Sequence, residues 1–131
     1  MLQIEVDKWI SFSEATLYPE FGDPVVTKPN SGFLRSGKYM YVEASGGTPG
    51  DTARLISAPL NTENNICLNF NYHMYGTQVG TLNVYVKQRG SSSLGEAIFS
   101  RSDFQGDQWK FSELALPKWE GYVQVGVFWF C

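Results

Sequence analysis

Over its clearest segments the chain places an apolar residue at every second position. From Ile66 to Met74, the residues Ile66, Leu68, Phe70, Tyr72 and Met74 fall on one face, and Cys67, Asn69, Asn71 and His73 on the other. Strand side chains alternate across a sheet, so this pattern predicts a half-buried strand with five apolar side chains facing a core. Thr81–Gln88 alternates in the same way, with Leu82, Val84 and Val86 together. Between the two lies Tyr75-Gly76-Thr77-Gln78-Val79-Gly80, a turn-prone stretch with two glycines, and the pair reads as a β-hairpin. Further strands are expected at Lys38–Ala44, Ala53–Ser57, Ala97–Ser100, Trp109–Leu116 and Tyr122–Phe130, with one more over Leu2–Phe12. Turn chemistry separates them at Phe21–Pro24, Gly46–Asp51, Gly90–Ser93 and Gln105–Asp107. No segment holds a helical period for three turns, and no internal repeat or low-complexity tract is visible. Short strands between Gly/Pro turns predict an all-β sandwich: about eight strands in two packed antiparallel sheets, with Ile66–Met74 central.

Composition agrees with that reading. The 131 residues suit one domain, and 43% apolar with 18% charged residues suits a folded one. An aromatic fraction of 15%, with 13 Gly and 6 Pro, favours strands joined by real loops over a helix bundle. A net charge of −3 argues against nucleic acid as a partner, because neutralising phosphates takes a clustered positive face. No leader is expected over the first residues, since Glu5, Asp7 and Lys8 stand where an apolar stretch would be needed. The longest uninterrupted apolar run, Val127–Cys131, falls far short of the roughly 20 residues of a membrane span. Direct membrane insertion by this segment is therefore not expected. The chain stops inside its most hydrophobic stretch, Val123–Cys131, which suggests a piece of a longer chain.

The residues offer little catalytic chemistry. The single histidine, His73, lies mid-strand among asparagines, and no motif marks a nucleophile or an orienting partner for it. It is read as a polar-face strand residue. Zinc needs three or four ligands, and one His with two distant Cys does not supply them. Calcium needs converging oxygens; Gly46–Asp51 offers one Asp and is read as a solvated loop. Gly76–Gly80 lacks the Lys-Ser/Thr of a phosphate loop. Trp9, Trp109, Trp119 and Trp129 could make a sugar-stacking platform, but core and edge packing is the preferred reading. Cys67 lies opposite the apolar face, whereas Cys131 shares parity with Val123, Val125, Val127 and Trp129. One sulfur then points out and the other in, so the two are expected not to be bonded to each other.

Several blocks together resemble a known family. They are Gly37-Lys38-Tyr39-Met40-Tyr41-Val42-Glu43-Ala44-Ser45, Gly50-Asp51-Thr52-Ala53-Arg54-Leu55-Ile56-Ser57, Cys67-Leu68-Asn69-Phe70-Asn71-Tyr72-His73-Met74-Tyr75-Gly76 and Val79-Gly80-Thr81-Leu82-Asn83-Val84-Tyr85. With Gly106-Asp107-Gln108-Trp109 further on, their order and spacing resembles the MAM domain, named from meprin, a neuropilin-type receptor and receptor tyrosine phosphatase mu. The resemblance is strongest over 37–85 and continues to about residue 127. It implies an extracellular jelly-roll β-sandwich that mediates adhesion or protein contact, with no catalytic activity or cofactor of its own. The matching positions are packing residues and turn glycines: Tyr39, Tyr41, Leu55, Phe70 and Leu82, with Gly76 and Gly80.

Three departures stand out. The cysteine pair expected before and near Trp9 is absent, Thr27–Arg35 is longer than usual and lacks an acidic residue, and no final strand follows Val123–Phe130. The resemblance therefore implies one MAM-like domain over residues 1–131, incomplete at both ends. It places the disulfide partner of Cys67 beyond the final strand, outside this chain. Some members hold a structural calcium ion in the complete domain; that role transfers to no residue here. The expected function is a non-catalytic extracellular interaction or adhesion module with protein partners, in a larger secreted or membrane protein. The alternatives are a carbohydrate-binding sandwich and an accessory domain of a secreted or membrane metalloprotease.

Overall fold

The computed structural model describes residues 2–6, 12–18, 40–42, 48–88 and 90–130, with side chains from 48 onward. Ten strands run through these residues: β1 (Leu2–Val6), β2 (Phe12–Tyr18), β3 (Met40–Val42), β4 (Thr52–Ser57), β5 (Leu60–Asn61), β6 (Cys67–Met74), β7 (Thr81–Gln88), β8 (Phe99–Ser102), β9 (Lys110–Ala115) and β10 (Tyr122–Phe130). No helix occurs among them. One sheet has the order β3-β1-β6-β9; the other has β2-β4-β10-β7-β8, with β5 also on β10. Every pairing is antiparallel. The molecule is a two-sheet β-sandwich of the jelly-roll kind.

The alternation of the chain sets the core. Leu68, Phe70, Tyr72 and Met74 of β6 are buried, while Asn69, Asn71 and His73 between them are half-buried on the outer face. From the opposite sheet come Leu82 and Val84 of β7, Val125, Val127 and Trp129 of β10, Ala53 of β4 and Phe99 of β8. Phe70, Tyr72 and Phe99 meet edge-on or tilted, with centroids 5.1–6.0 Å apart. The register expected for Ile66–Met74 holds, and β6 lies inside its sheet. Phe128, on the outer face of β10, is buried as well: the Arg54 guanidinium lies 5.0 Å from its ring centroid and Tyr85 packs beside it. Two edge strands place a basic residue at a core-facing register position, Arg101 of β8 opposite Leu82 and Lys110 of β9 opposite Tyr72. An inward charge at an edge discourages pairing with a further strand.

Several expectations are corrected. The strands Ile66–Met74 and Thr81–Gln88 do not form a hairpin: β6 pairs with β1 and β9, and β7 with β10 and β8. Tyr75–Gly80 crosses from one sheet to the other, so Phe70 and Leu82 face each other across the core instead of lying side by side. The crossover is pinned by Val79, which is buried and whose carbonyl accepts a 2.5 Å hydrogen bond from Trp129 Nε1. At Gly80 (φ +73°) a Cβ would fall on the Phe130 carbonyl oxygen, so only glycine fits. The single strand expected over Leu2–Phe12 is two strands in different sheets, β1 and β2. The strand placed at Ala97–Ser100 begins at Phe99 instead, where pairing with Val84 starts. Strand β5 carries no alternation, being two residues long. Trp9, the turn at Phe21–Pro24, Thr27–Arg35, most of Lys38–Ala44 and Cys131 lie outside the described residues.

Among the described residues, each end of the sandwich carries a pair of crossovers. At the upper end, Tyr75–Gly80 leads from β6 to β7 and Asp103–Trp109 leads from β8 to β9. The two are stitched together by Asp103 N–H donating to Gly80 O and Gln105 N–H donating to Met74 O, each 2.9 Å. At the lower end, Thr62–Ile66 leads into β6 and Leu116–Gly121 into β10. There Leu116 N–H donates to Ile66 O at 2.9 Å, and Trp119 N–H to Thr62 Oγ1 at 3.1 Å.

Candidate functional site: an aromatic ridge at the upper end

The upper crossovers gather aromatic side chains that the core does not use. Tyr75 follows the last residue of β6 and is 48% exposed, while Phe104 in the next crossover is 58% exposed. Their rings touch, with centroids 5.8 Å apart and planes tilted by 58°. The bonds from Asp103 and Gln105 fix the backbone on both sides of Phe104. Asp103 itself takes a left-handed backbone (φ 62°), which aspartate tolerates better than most residues. That turn directs the chain outward, so Phe104 is displayed instead of folded into the core.

His73 anchors the ridge. It sits at the end of the outer face of β6 with its side chain 14% exposed. The ring stacks on Tyr75 (centroids 6.1 Å, 25°) and packs against Trp109 (5.6 Å, 40°). Asp107, 72% exposed, accepts a hydrogen bond from His73 Nε2 at 3.0 Å. A carboxylate oxygen accepts, so the bond selects a ring with its proton on Nε2. The other nitrogen, Nδ1, is buried without a hydrogen-bond partner. A catalytic base needs one ring nitrogen on its orienting carboxylate and the other on a nucleophile. Here the second position faces no such group, and His73 acts as a spacer between Tyr75 and Trp109. Asn69 and Asn71 continue its row, their buried Oδ1 atoms likewise without protein partners. Phe111 of β9, opposite Asn71, adds a third exposed ring on this face.

The other residues singled out in the sequence are dispersed. Trp129 is core, Trp119 is exposed at the lower end and Trp109 is half-buried at the upper end, so the described tryptophans share no platform. Asp51, read as part of a solvated loop, is buried: its Oδ2 accepts the Thr48 N–H at 2.6 Å and its own N–H donates to Thr48 O. The residue closes its own turn. Cys67 is free and exposed on the outer face, as its parity predicts. Among the described residues no three His, Cys, Asp or Glu side chains cluster to hold a metal ion, and no helix is long and apolar enough to cross a membrane. Sequence reasoning missed Phe104 and Asp107 as surface features. Gly106-Asp107-Gln108-Trp109 was visible as a block, but nothing in the pattern tied Asp107 to a histidine 34 positions earlier.

The described residues thus form a sandwich of two antiparallel sheets with bonded crossovers and exposed rings at both ends. The profile of the MAM domain, meprin/A5/mu, matches residues 8–128, and the chain belongs to this family. It is 35% identical over 86 residues to neuropilin-1a of Danio rerio, covering 63% of this chain and 9% of that protein. To MAM domain-containing glycosylphosphatidylinositol anchor protein 2 of Mus musculus it is 32% identical over 111 residues, 77% of this chain and 12% of that protein. To neuropilin-1 of Xenopus laevis it is 34% identical over 100 residues, 76% and 11% respectively. The matched region thus spans only about a tenth of the length of these relatives. Family and relatives together place the chain as an extracellular module.

Proposed function

We propose that this domain is a non-catalytic protein-contact module in the ectodomain of a larger secreted or membrane protein, and that the upper ridge is its contact surface. The observation that carries the reading is the pairing of Tyr75 and Phe104, two exposed rings in contact on a backbone braced from both crossovers. Exposed aromatics on a rigid frame lose little entropy on binding and supply large contact area, which is why such rings dominate interface energetics. The family and the receptor-type and anchored relatives support the non-catalytic part. We further propose that the chain is a single domain and that Cys67, exposed and free, takes its disulfide partner from outside this chain. The test is adhesion of beads coated with the chain to cells and to one another. Loss of adhesion in a folded Tyr75→Ala/Phe104→Ala variant, with Trp119→Ala unaffected, is the expected result. Adhesion that survives the double change, or that depends on Trp119, would sink the assignment.

A further inference from the structure

The crossover into β6 at the lower end carries a motif with chemistry of its own. Asn65-Ile66-Cys67 has an asparagine, then a residue other than proline, then a side chain bearing a donor hydrogen. This is the frame of an N-glycosylation acceptor, Asn-X-Ser/Thr, with a thiol where the hydroxyl stands. None of the other asparagines of the chain has Ser, Thr or Cys at that spacing. A thiol is the weaker hydrogen-bonding group, so it serves an enzyme that reads the third position less well than a hydroxyl does.

The fold leaves room for the product. Asn65 lies in the irregular stretch ahead of β6 and is exposed, as are Glu63 and Asn64 before it. Ile66 is the anchored member: it packs against the core, and its carbonyl accepts from Leu116 N–H at 2.9 Å. Cys67 is free and exposed on the outer face. A sugar on Asn65 therefore projects into solvent and displaces no core side chain. The eight residues of β6, about 26 Å of strand, separate it from the ridge. An extracellular module passes through the secretory compartment in which such sugars are attached.

We infer that Asn65 is an N-glycosylation site of the Asn-X-Cys type, read through the free thiol of Cys67. The co-reactant is a lipid-linked oligosaccharyl pyrophosphate. Asn65 Nδ2 bonds to the anomeric carbon of the sugar, the bond from that carbon to the pyrophosphate oxygen breaks, the lipid pyrophosphate leaves, and the amide gives up one proton. A sulfur held in a disulfide has no proton to offer, so the transfer precedes any disulfide at Cys67.

The test is expression of the 131-residue chain behind a cleavable secretory leader in animal cells. Total chain, retained and secreted, is treated with peptide N-glycosidase and mapped by mass spectrometry. A fraction of the chain should lose the mass of one glycan, with residue 65 converted to aspartate. Asn65→Gln and Cys67→Ala should each abolish the glycan, and Cys67→Thr should raise the modified fraction. Attachment precedes folding, and Cys67→Thr reads as a gain, so neither result depends on a variant being stable. An unmodified parent chain beside a modified Cys67→Thr would show that the thiol is not read. A glycan that survives Cys67→Ala, or a Cys67→Thr chain left bare, would equally overturn the inference. The ridge takes no part in this test, so either proposal can fail without the other.

Discussion

The two ends of the sandwich use the same device and reach different surfaces. Among the described residues, each carries two crossovers that bond to one another. At the upper end both bonds are backbone to backbone, and a buried indole adds a third tie by donating to Val79 O. At the lower end one of the two is a side-chain hydroxyl, Thr62 Oγ1. The upper end brings two exposed rings into contact beside two exposed carboxylates, Asp103 and Asp107, the second hydrogen-bonded to His73. The lower end also exposes rings, Trp119 between Lys118 and Glu120 and Tyr122 just beyond them, so charges of both signs are mixed there. An exposed aromatic is thus not in itself a site. Contact between rings and a fixed backbone, with only acidic charges in the two described crossovers, set the upper end apart.

The comparison can be broken at four points. Trp129→Ala should cost most, about 3–5 kcal/mol, since it empties a buried site and strands the Val79 carbonyl. Urea unfolding measures it, and a loss near 1 kcal/mol would mean that the indole does not hold the upper crossover. Next come two glycines with positive φ. Gly80→Ala combines backbone strain with a clash on Phe130 O and should cost about 3 kcal/mol, whereas Gly121→Ala, with open space around it, should cost about 1 kcal/mol. Equal midpoint shifts would remove the difference in packing between the ends. Thr62→Val keeps the shape and deletes the hydroxyl that accepts from Trp119, for about 1 kcal/mol. Faster hydrogen exchange at the Trp119 amide, with the Asp103 and Gln105 amides unchanged, is the accompanying signature. Smallest of all, Phe104→Ala should leave stability within about 0.5 kcal/mol, because the ring is exposed. A larger loss on thermal unfolding would make Phe104 a structural residue and weaken its reading as a contact.

The strand faces were legible from sequence because alternation has a period of two wherever one side of a strand is buried. Phe70 inward, Asn71 outward and the inward row from Val123 to Trp129 all follow from it. The turn roles of Gly76 and Gly80 were legible too, and both have positive φ. The site was only half visible. His73 was placed on the correct face, yet its neighbours Tyr75, Trp109 and Asp107 meet it only through the bonded crossovers. Phe104 is a single apolar residue between polar ones, and its exposure depends on a left-handed turn at Asp103 that no spacing announces.

What the sequence determined by itself was therefore which residues face a common core. What only the tertiary structure decided was which strands are neighbours. Two alternating strands joined by six residues place the same side chains inward whether they pair in one sheet or face each other across the core, so parity cannot separate a hairpin from an arch. The arch is selected by contacts distant in sequence. Trp129 reaches the Val79 carbonyl from 50 positions away, Phe130 closes over Gly80, and β10 takes the place beside β7 that a hairpin would have given to β6.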